Sequence, residues 1–162
     1  MRKKIIYLPI KYNVTLKAVD DKGVIHAVVK GKNVVCRSGL VLLANLFRDY
    51  NDGSLDWGTG LTYIALGSGT TAPLNTDIIL TTEVAREDII TKSLTQNAIG
   101  FSTFFLKANC SFYIKEVGAF GHSTATATLV TGELFMHSLL SYDNSAGLYN
   151  VTLDLECTLG TW

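Results

Sequence analysis

Charge is scarce in this chain. Charged residues make up 17% of its 162 positions, against about 25% in an average soluble domain. Lys and Arg total 14 and Asp and Glu total 14, so the formal net charge is zero. Bulk attraction to nucleic acid, to an anionic membrane or to an acidic substrate has no basis in such a balance. A neutral, weakly charged surface also suits a lone soluble monomer poorly, which points to assembly. Long apolar runs are missing as well, and nothing approaches the ~20 residues of a membrane span. The start, Arg2-Lys3-Lys4-Ile5-Ile6-Tyr7-Leu8, opens like a secretory signal but breaks at Pro9 and Lys11. A chain made in a cytoplasm without an export signal is therefore expected. The Asn-x-Ser/Thr sequons at Asn13, Asn109 and Asn150 are then chance occurrences.

Reactive and ligating residues are thinly spread. The 3 cysteines, Cys36, Cys110 and Cys157, are odd in number and far apart. They make neither a closed disulfide framework nor a CxxC knuckle, and their apolar surroundings predict buried free thiols. His26, His122 and His137 form no HxxxH or HxH pair and have no Cys or carboxylate at ligand spacing, so no metal site is expected. Gly67-Ser68-Gly69-Thr70-Thr71-Ala72 matches G-x-G-x-x-[GA] after a predicted strand. Pro73 and the turn-like Leu74-Asn75-Thr76-Asp77 replace the helix whose N-terminus would meet a pyrophosphate, so no nucleotide cofactor is expected. No G-x-S-x-G elbow is present.

Three carboxylate groups stand out: Asp20-Asp21, Asp49 with Asp52, and Asp154 with Glu156. The last two share one strand face about 7 Å apart, but an open face supplies no cleft for hydrolysis. Arg2, Lys3, Lys4 and Lys11, interleaved with Tyr7 and Tyr12, form the one basic concentration and read as a solvated arm. The sequence thus predicts no catalytic residues, no cofactor, no specific nucleic-acid partner and no membrane partner.

The chain is rich in apolar, β-branched and aromatic residues. Hydrophobic residues make up 48%, with 7 Tyr and 7 Phe, and this composition favours strands. Val14 to Val19, a turn at Asp20 to Gly23 and Val24 to Val29 predict a hairpin. A second turn at Gly31-Lys32-Asn33 precedes Val34-Val35-Cys36, which makes 1–33 an N-terminal β-meander or docking extension. From Ser38 the period changes. Leu40, Leu43, Ala44 and Phe47 recur at helical spacing behind Ser38 as N-cap, predicting one principal helix near 38–50, apolar nearly all round. Leu61 to Leu66 reads as a strand and 67–77 as a loop. Thr81 to Arg86 reads as a capped helical turn.

Strands are then expected over 87–94, 101–108 and 112–120, with one or two more in 124–140. The last strand is the clearest: Tyr149, Val151, Leu153, Leu155 and Cys157 alternate with Asn150, Thr152, Asp154, Glu156 and Thr158. The fold class that follows is mainly β. The expected architecture is an antiparallel β-sandwich of jelly-roll or Greek-key type over 34–162 with one principal helix.

Glu116 lies in the apolar run Ile114-Lys115-Glu116-Val117-Gly118. A buried carboxylate needs a partner, and the planar fork of Arg86 is the expected one, giving a structural ion pair.

Tyr63-Ile64-Ala65-Leu66-Gly67-Ser68-Gly69-Thr70-Thr71-Ala72-Pro73, followed by Leu80-Thr81-Thr82-Glu83-Val84-Ala85-Arg86 and then Ile114-Lys115-Glu116-Val117-Gly118-Ala119-Phe120, resembles small virion structural proteins of tailed bacteriophages. The resemblance covers roughly 34–158. It implies a non-enzymatic structural component of the virion, in the tail, neck or baseplate. Its partners would be other copies of itself and other virion proteins, with the loop at Thr70, Thr71 and Pro73 as the candidate subunit contact. A capsid decoration protein is one alternative. Another is a carbohydrate-binding host-recognition module using Trp57, Tyr142 and Trp162 as a platform.

Overall fold

The structure is a computed structural model and describes residues 10–41 and 60–160. Nine strands carry the fold: β1 (Ile10–Val19), β2 (Ile25–Val35), β3 (Leu61–Gly67), β4 (Glu83–Asp88), β5 (Thr91–Thr95), β6 (Ala98–Phe105), β7 (Tyr113–Gly121), β8 (Glu133–Asp143) and β9 (Asn150–Leu159). They form one antiparallel sheet in the order β4-β3-β7-β8-β2-β1-β9-β6-β5. The protein is 57% strand, and the sheet curls into a half-barrel.

The alternation in the last strand sets its register as expected from Val151 onward, but at its start Asn150 is buried, its side chain accepting from the amide of Lys107 and donating to Asp21, and Tyr149 is only half-buried. Val151, Leu153, Leu155 and Cys157 are buried, while Thr152, Asp154 and Glu156 face outward. On β1 the same period buries Tyr12, Val14, Leu16 and Ala18. These side chains join Ile64, Leu66, Phe105, Ile114 and Met136 in the main core, which fills the inside of the curl. A smaller cluster of Cys36, Ala65, Leu80, Phe120 and Leu134 lies on the opposite face of β3, β7 and β8. Those three strands are thus covered on both faces, and their near-continuous apolar runs follow from it.

Several expected boundaries move. Gly31-Lys32-Asn33 is not a turn, because β2 runs through it. A Cβ at Gly31 would lie 2.5 Å from Ser138 Oγ, so glycine here lets β8 approach rather than bending the chain. The hairpin expected as an extension supplies two strands in the middle of the sheet: β1 pairs with both β2 and β9. Of the capped helical turn expected at Thr81 to Arg86, Thr81 and Thr82 form a turn and Glu83 to Arg86 open β4, and the strand expected over 87–94 is split between β4 and β5. The Thr/Ala alternation at 124–128 is turn rather than strand, and only Glu133–Asp143 forms β8. The helix expected near 38–50 is helical over 37–41, beginning one residue before Ser38. Its remainder lies outside the described residues. Ser38 is not its cap, since its hydroxyl donates to the carbonyl of Leu134.

The two edge strands, β4 and β5, are consecutive in the chain and separated by Ile89 and Ile90. The amide of Ile89 donates to Thr62 O at 2.8 Å and that of Ile90 to Ser102 O at 2.9 Å. Thr103 Oγ1 donates to Asp88 O at 2.6 Å. This link therefore bonds to both ends of the sheet and fixes its curl.

Candidate functional site

The outer face of β3, β7 and β8 carries two buried polar clusters, and each holds down one loop. The first centres on Glu116, fully buried on β7 beside a register shift between Ile114 and Glu116. Its Oε1 accepts from the amides of Gly69 at 2.9 Å and Thr82 at 2.7 Å. Its Oε2 accepts from the amide of Thr81 at 3.0 Å and lies 3.0 Å from His137 Nε2. The other ring nitrogen of His137, Nδ1, lies 2.8 Å from Asp77 Oδ2. Asp77 Oδ2 also accepts from the amide of Leu74 at 2.8 Å.

A carboxylate removed from water is tolerated only when its oxygens are filled in this way. The glycines of G-x-G make the approach possible. A Cβ on Gly67 would stand 2.5 Å from Glu116 Oε1, and one on Gly69 would strike the same oxygen. The motif that imitates a phosphate loop thus wraps the protein's own carboxylate.

The second cluster centres on Arg86. Nε and Nη2 donate to Glu83 Oε1 and Oε2 at 2.6 and 3.0 Å, with both side chains almost wholly enclosed. Nη1 donates to the carbonyls of Thr131 at 2.7 Å and Thr126 at 3.2 Å. The guanidinium lies 4.1 Å from the centre of the Phe120 ring and 5.8 Å from that of Tyr63, within cation–π range. Glu83 Oε2 also accepts from the amide of Val130 at 2.9 Å. Val130 has φ 62°, which a β-branched residue adopts only when its surroundings impose it. Loop 122–132 is therefore fastened to the sheet through Arg86 and Glu83, as loop 68–82 is through Glu116.

The expected Arg86–Glu116 pair does not form. Arg86 stands in the row of Ala65 and Gly118, whereas Glu116 stands in the next row with Gly67. The register shift at Leu66/Gly67 brings Glu83 within reach of Arg86 at i,i+3. Glu116 is already filled by three amides and His137. Both expected members are buried, each with a different partner. Three participants were not expected as partners in these clusters: Glu83, Asp77 and His137. Glu83 stands in the same motif as Arg86. His137 sits within Leu134-Phe135-Met136-His137-Ser138-Leu139-Leu140, where an isolated polar residue in an apolar strand is the same signal that marked Glu116.

The loop residues Thr70 and Thr71 are exposed and Pro73 half-buried, in the loop whose Gly69, Thr81 and Thr82 amides bind Glu116. Nearby lies a groove of about 750 Å³ lined by Arg37, Val41, Asp77, Ile78, Ile79 and Val130 among others. Asp77 reaches it, but both nitrogens of His137 are already engaged, one by Asp77 and one by Glu116, so neither is open to a substrate there. Among the described residues no three His, Cys, Asp or Glu side chains are placed to hold a metal.

His26 is bonded to Asp20 at 2.9 Å and packs on Tyr149 with ring centroids 4.7 Å apart. His122 Nδ1 lies 3.0 Å from Thr124 Oγ1. All three thiols are buried and free, and burial pushes Cys36 up to about 12 and Cys110 up to about 11. Tyr12 belongs to the core, edge-on to Phe135 at 5.4 Å, rather than to a basic arm. Tyr142 is half-buried against the main core. Trp57, Trp162, Asp49, Asp52, Arg2, Lys3, Lys4 and Tyr7 lie outside the described residues. Compared with protein-family models, with curated proteins and with solved structures, the chain matches none of them.

Proposed function

We propose that this chain is a non-enzymatic structural component of a tailed bacteriophage virion, in the tail, neck or baseplate. It acts by self-association and by docking to other virion proteins. One observation carries the reading. The residues of the phage-like motif converge on the two buried clusters: Gly67, Gly69, Thr81, Thr82 and Glu116 in one, Tyr63, Glu83, Arg86 and Phe120 in the other. They fasten loops to a sheet and direct no reactive atom at the groove. A motif used in this way builds a rigid surface, and symmetric assemblies are made of such surfaces.

The finer architecture in this reading is a sandwich. Its halves are β4-β3-β7-β8 and β2-β1-β9-β6-β5, hinged where β2 and β8 share four residue pairs, Lys32 to Val35 against Met136 to Leu139. The test is to locate the chain in purified particles, by mass spectrometry of the virion and by imaging particles decorated with an antibody to it. Labelling at the tail, neck or baseplate is expected. Particles that lack the chain overturn the reading, and labelling over the capsid shell transfers the role to decoration.

A further inference from the structure

The outward face of β2, β1, β9, β6 and β5 carries a charge pattern that the register makes explicit. In one row Lys30, Thr15, Asp154, Ser102 and Thr91 stand side by side across the strands. In the next row stand Lys32, Asn13, Glu156, Gly100 and Ser93. In these two rows β2 is therefore basic, β1 polar and short, and β9 acidic, with Lys17 of β1 in the row beyond, between Val28 and Thr152. A trough of about 330 Å³ borders this face, lined by Asn13, Thr15, Lys17, Lys30, Asp154 and Glu156 among others.

Lys30, Lys32 and Glu156 are exposed, and none of them has an oppositely charged partner among the described residues. Within one copy the β2 and β9 columns are two strand spacings apart, roughly 10 Å, and their side chains stand side by side rather than pointing at one another. Asp154 is the exception, being held by Lys17 at 2.6 Å.

We propose that this face is an interface with a second copy of the chain, related by a twofold axis running along β1. Such a rotation exchanges the β2 and β9 columns and leaves the rows in place. It sets Lys30 opposite Asp154 of the second copy and Lys32 opposite its Glu156, and the reverse pairs follow from the symmetry. Stacked sheets lie about 10 Å apart, a gap that a lysine stem meeting a carboxylate spans. Lys17 falls on the axis, where Asp154 already holds its charge. Beyond β9 these two rows are low, with Gly100, Ser93 and Thr91, and the bulkier, exposed Phe104 of β6 stands in the next row beside Thr152. This surface rests on the self-association proposed above and specifies where it occurs.

The test uses light scattering and sedimentation of the full chain over a range of concentrations. The variants are Lys30→Glu/Lys32→Glu and Asp154→Lys/Glu156→Lys, with Glu156→Lys alone as a milder form that leaves the Lys17 pair intact. Circular dichroism establishes that each is folded. Each double variant presents like charges across the axis, so its self-association should weaken about tenfold or more. Mixing the two double variants should restore association as a heterodimer. Association of the unaltered chain should also weaken as salt rises from about 0.05 M to about 0.5 M. If charge reversal leaves association unchanged, this face is wrong and self-association stands. If the unaltered chain is a monomer at every concentration, both are wrong.

Discussion

Glu116 and Arg86 are the residues on which the loops depend, and each is expected to be costly to remove. Arg86→Ala strands Glu83 in a dry site, and loss of one partner of a buried pair costs ~3–5 kcal/mol. Glu116→Ala leaves the amides of Gly69, Thr81 and Thr82 without their acceptor, and each orphaned buried donor costs ~1–3 kcal/mol. Denaturant unfolding of both variants, with Lys22→Ala at the exposed hairpin tip as control, measures this. Effects no larger than the control's would remove the anchoring role.

The hairpin tip gives a prediction in pH. The hydrogen bond from His26 and then the amide of Val24 hold the Asp20 carboxyl below the usual carboxylate range. A group depressed on folding contributes stability above its unfolded value, about 3.9 for Asp, and loses it as pH falls through the folded value. Protection of the Lys22 and Val24 amides, both bonded to Asp20 Oδ1, should therefore fall with acidification below about pH 4. Asp20→Asn should flatten that dependence in hydrogen-exchange measurements.

Elements differ in how plainly the sequence announces them. β9 is legible because its two faces meet different surroundings, core and solvent, and period two follows. Leu153, fully buried at its centre, should cost ~2–5 kcal/mol when changed to Ala, through transfer and cavity terms. The outward Thr152→Ala should cost far less, and thermal melts of the two variants check the register. β4 is illegible for the opposite reason. Glu83 and Arg86 imitate a helical turn at i,i+3, but a register shift brings them together on a strand. The polar clusters were half legible: one isolated carboxylate in an apolar strand signals a buried network. Its partners come from loop amides, which have no sequence signature, and from a histidine on a neighbouring strand.

For the molecule as a whole, the link at Ile89 and Ile90 governs the curl. Each edge of the sheet is tethered to the other by these two residues, so their length sets how far the half-barrel can open. Inserting two glycines between them should loosen the curl with little change in strand content. Accelerated exchange in β4 and β5 and increased binding of an apolar dye would report it, and unchanged exchange would show that packing alone sets the curvature. The mainly β class was readable from composition and period. The single continuous sheet was not, because strand order depends on which partners meet across long stretches of chain.

The pairing of β1 with β9 has a consequence in time. β1 finds β2 as soon as both have left the ribosome, but its other edge waits for a strand made about 130 residues later, between Val19 and Asn150. At 5–20 residues per second that delay is roughly 7–26 s. Throughout it Tyr12, Val14 and Leu16 lack the β9 side chains that will help bury them, and one edge of β1 offers its backbone groups to any passing strand. Slow closure of this kind is expected of a fold whose contacts are so distant in sequence. The newborn chain is therefore most vulnerable to mispairing with its neighbours on the same message just before its last strand emerges.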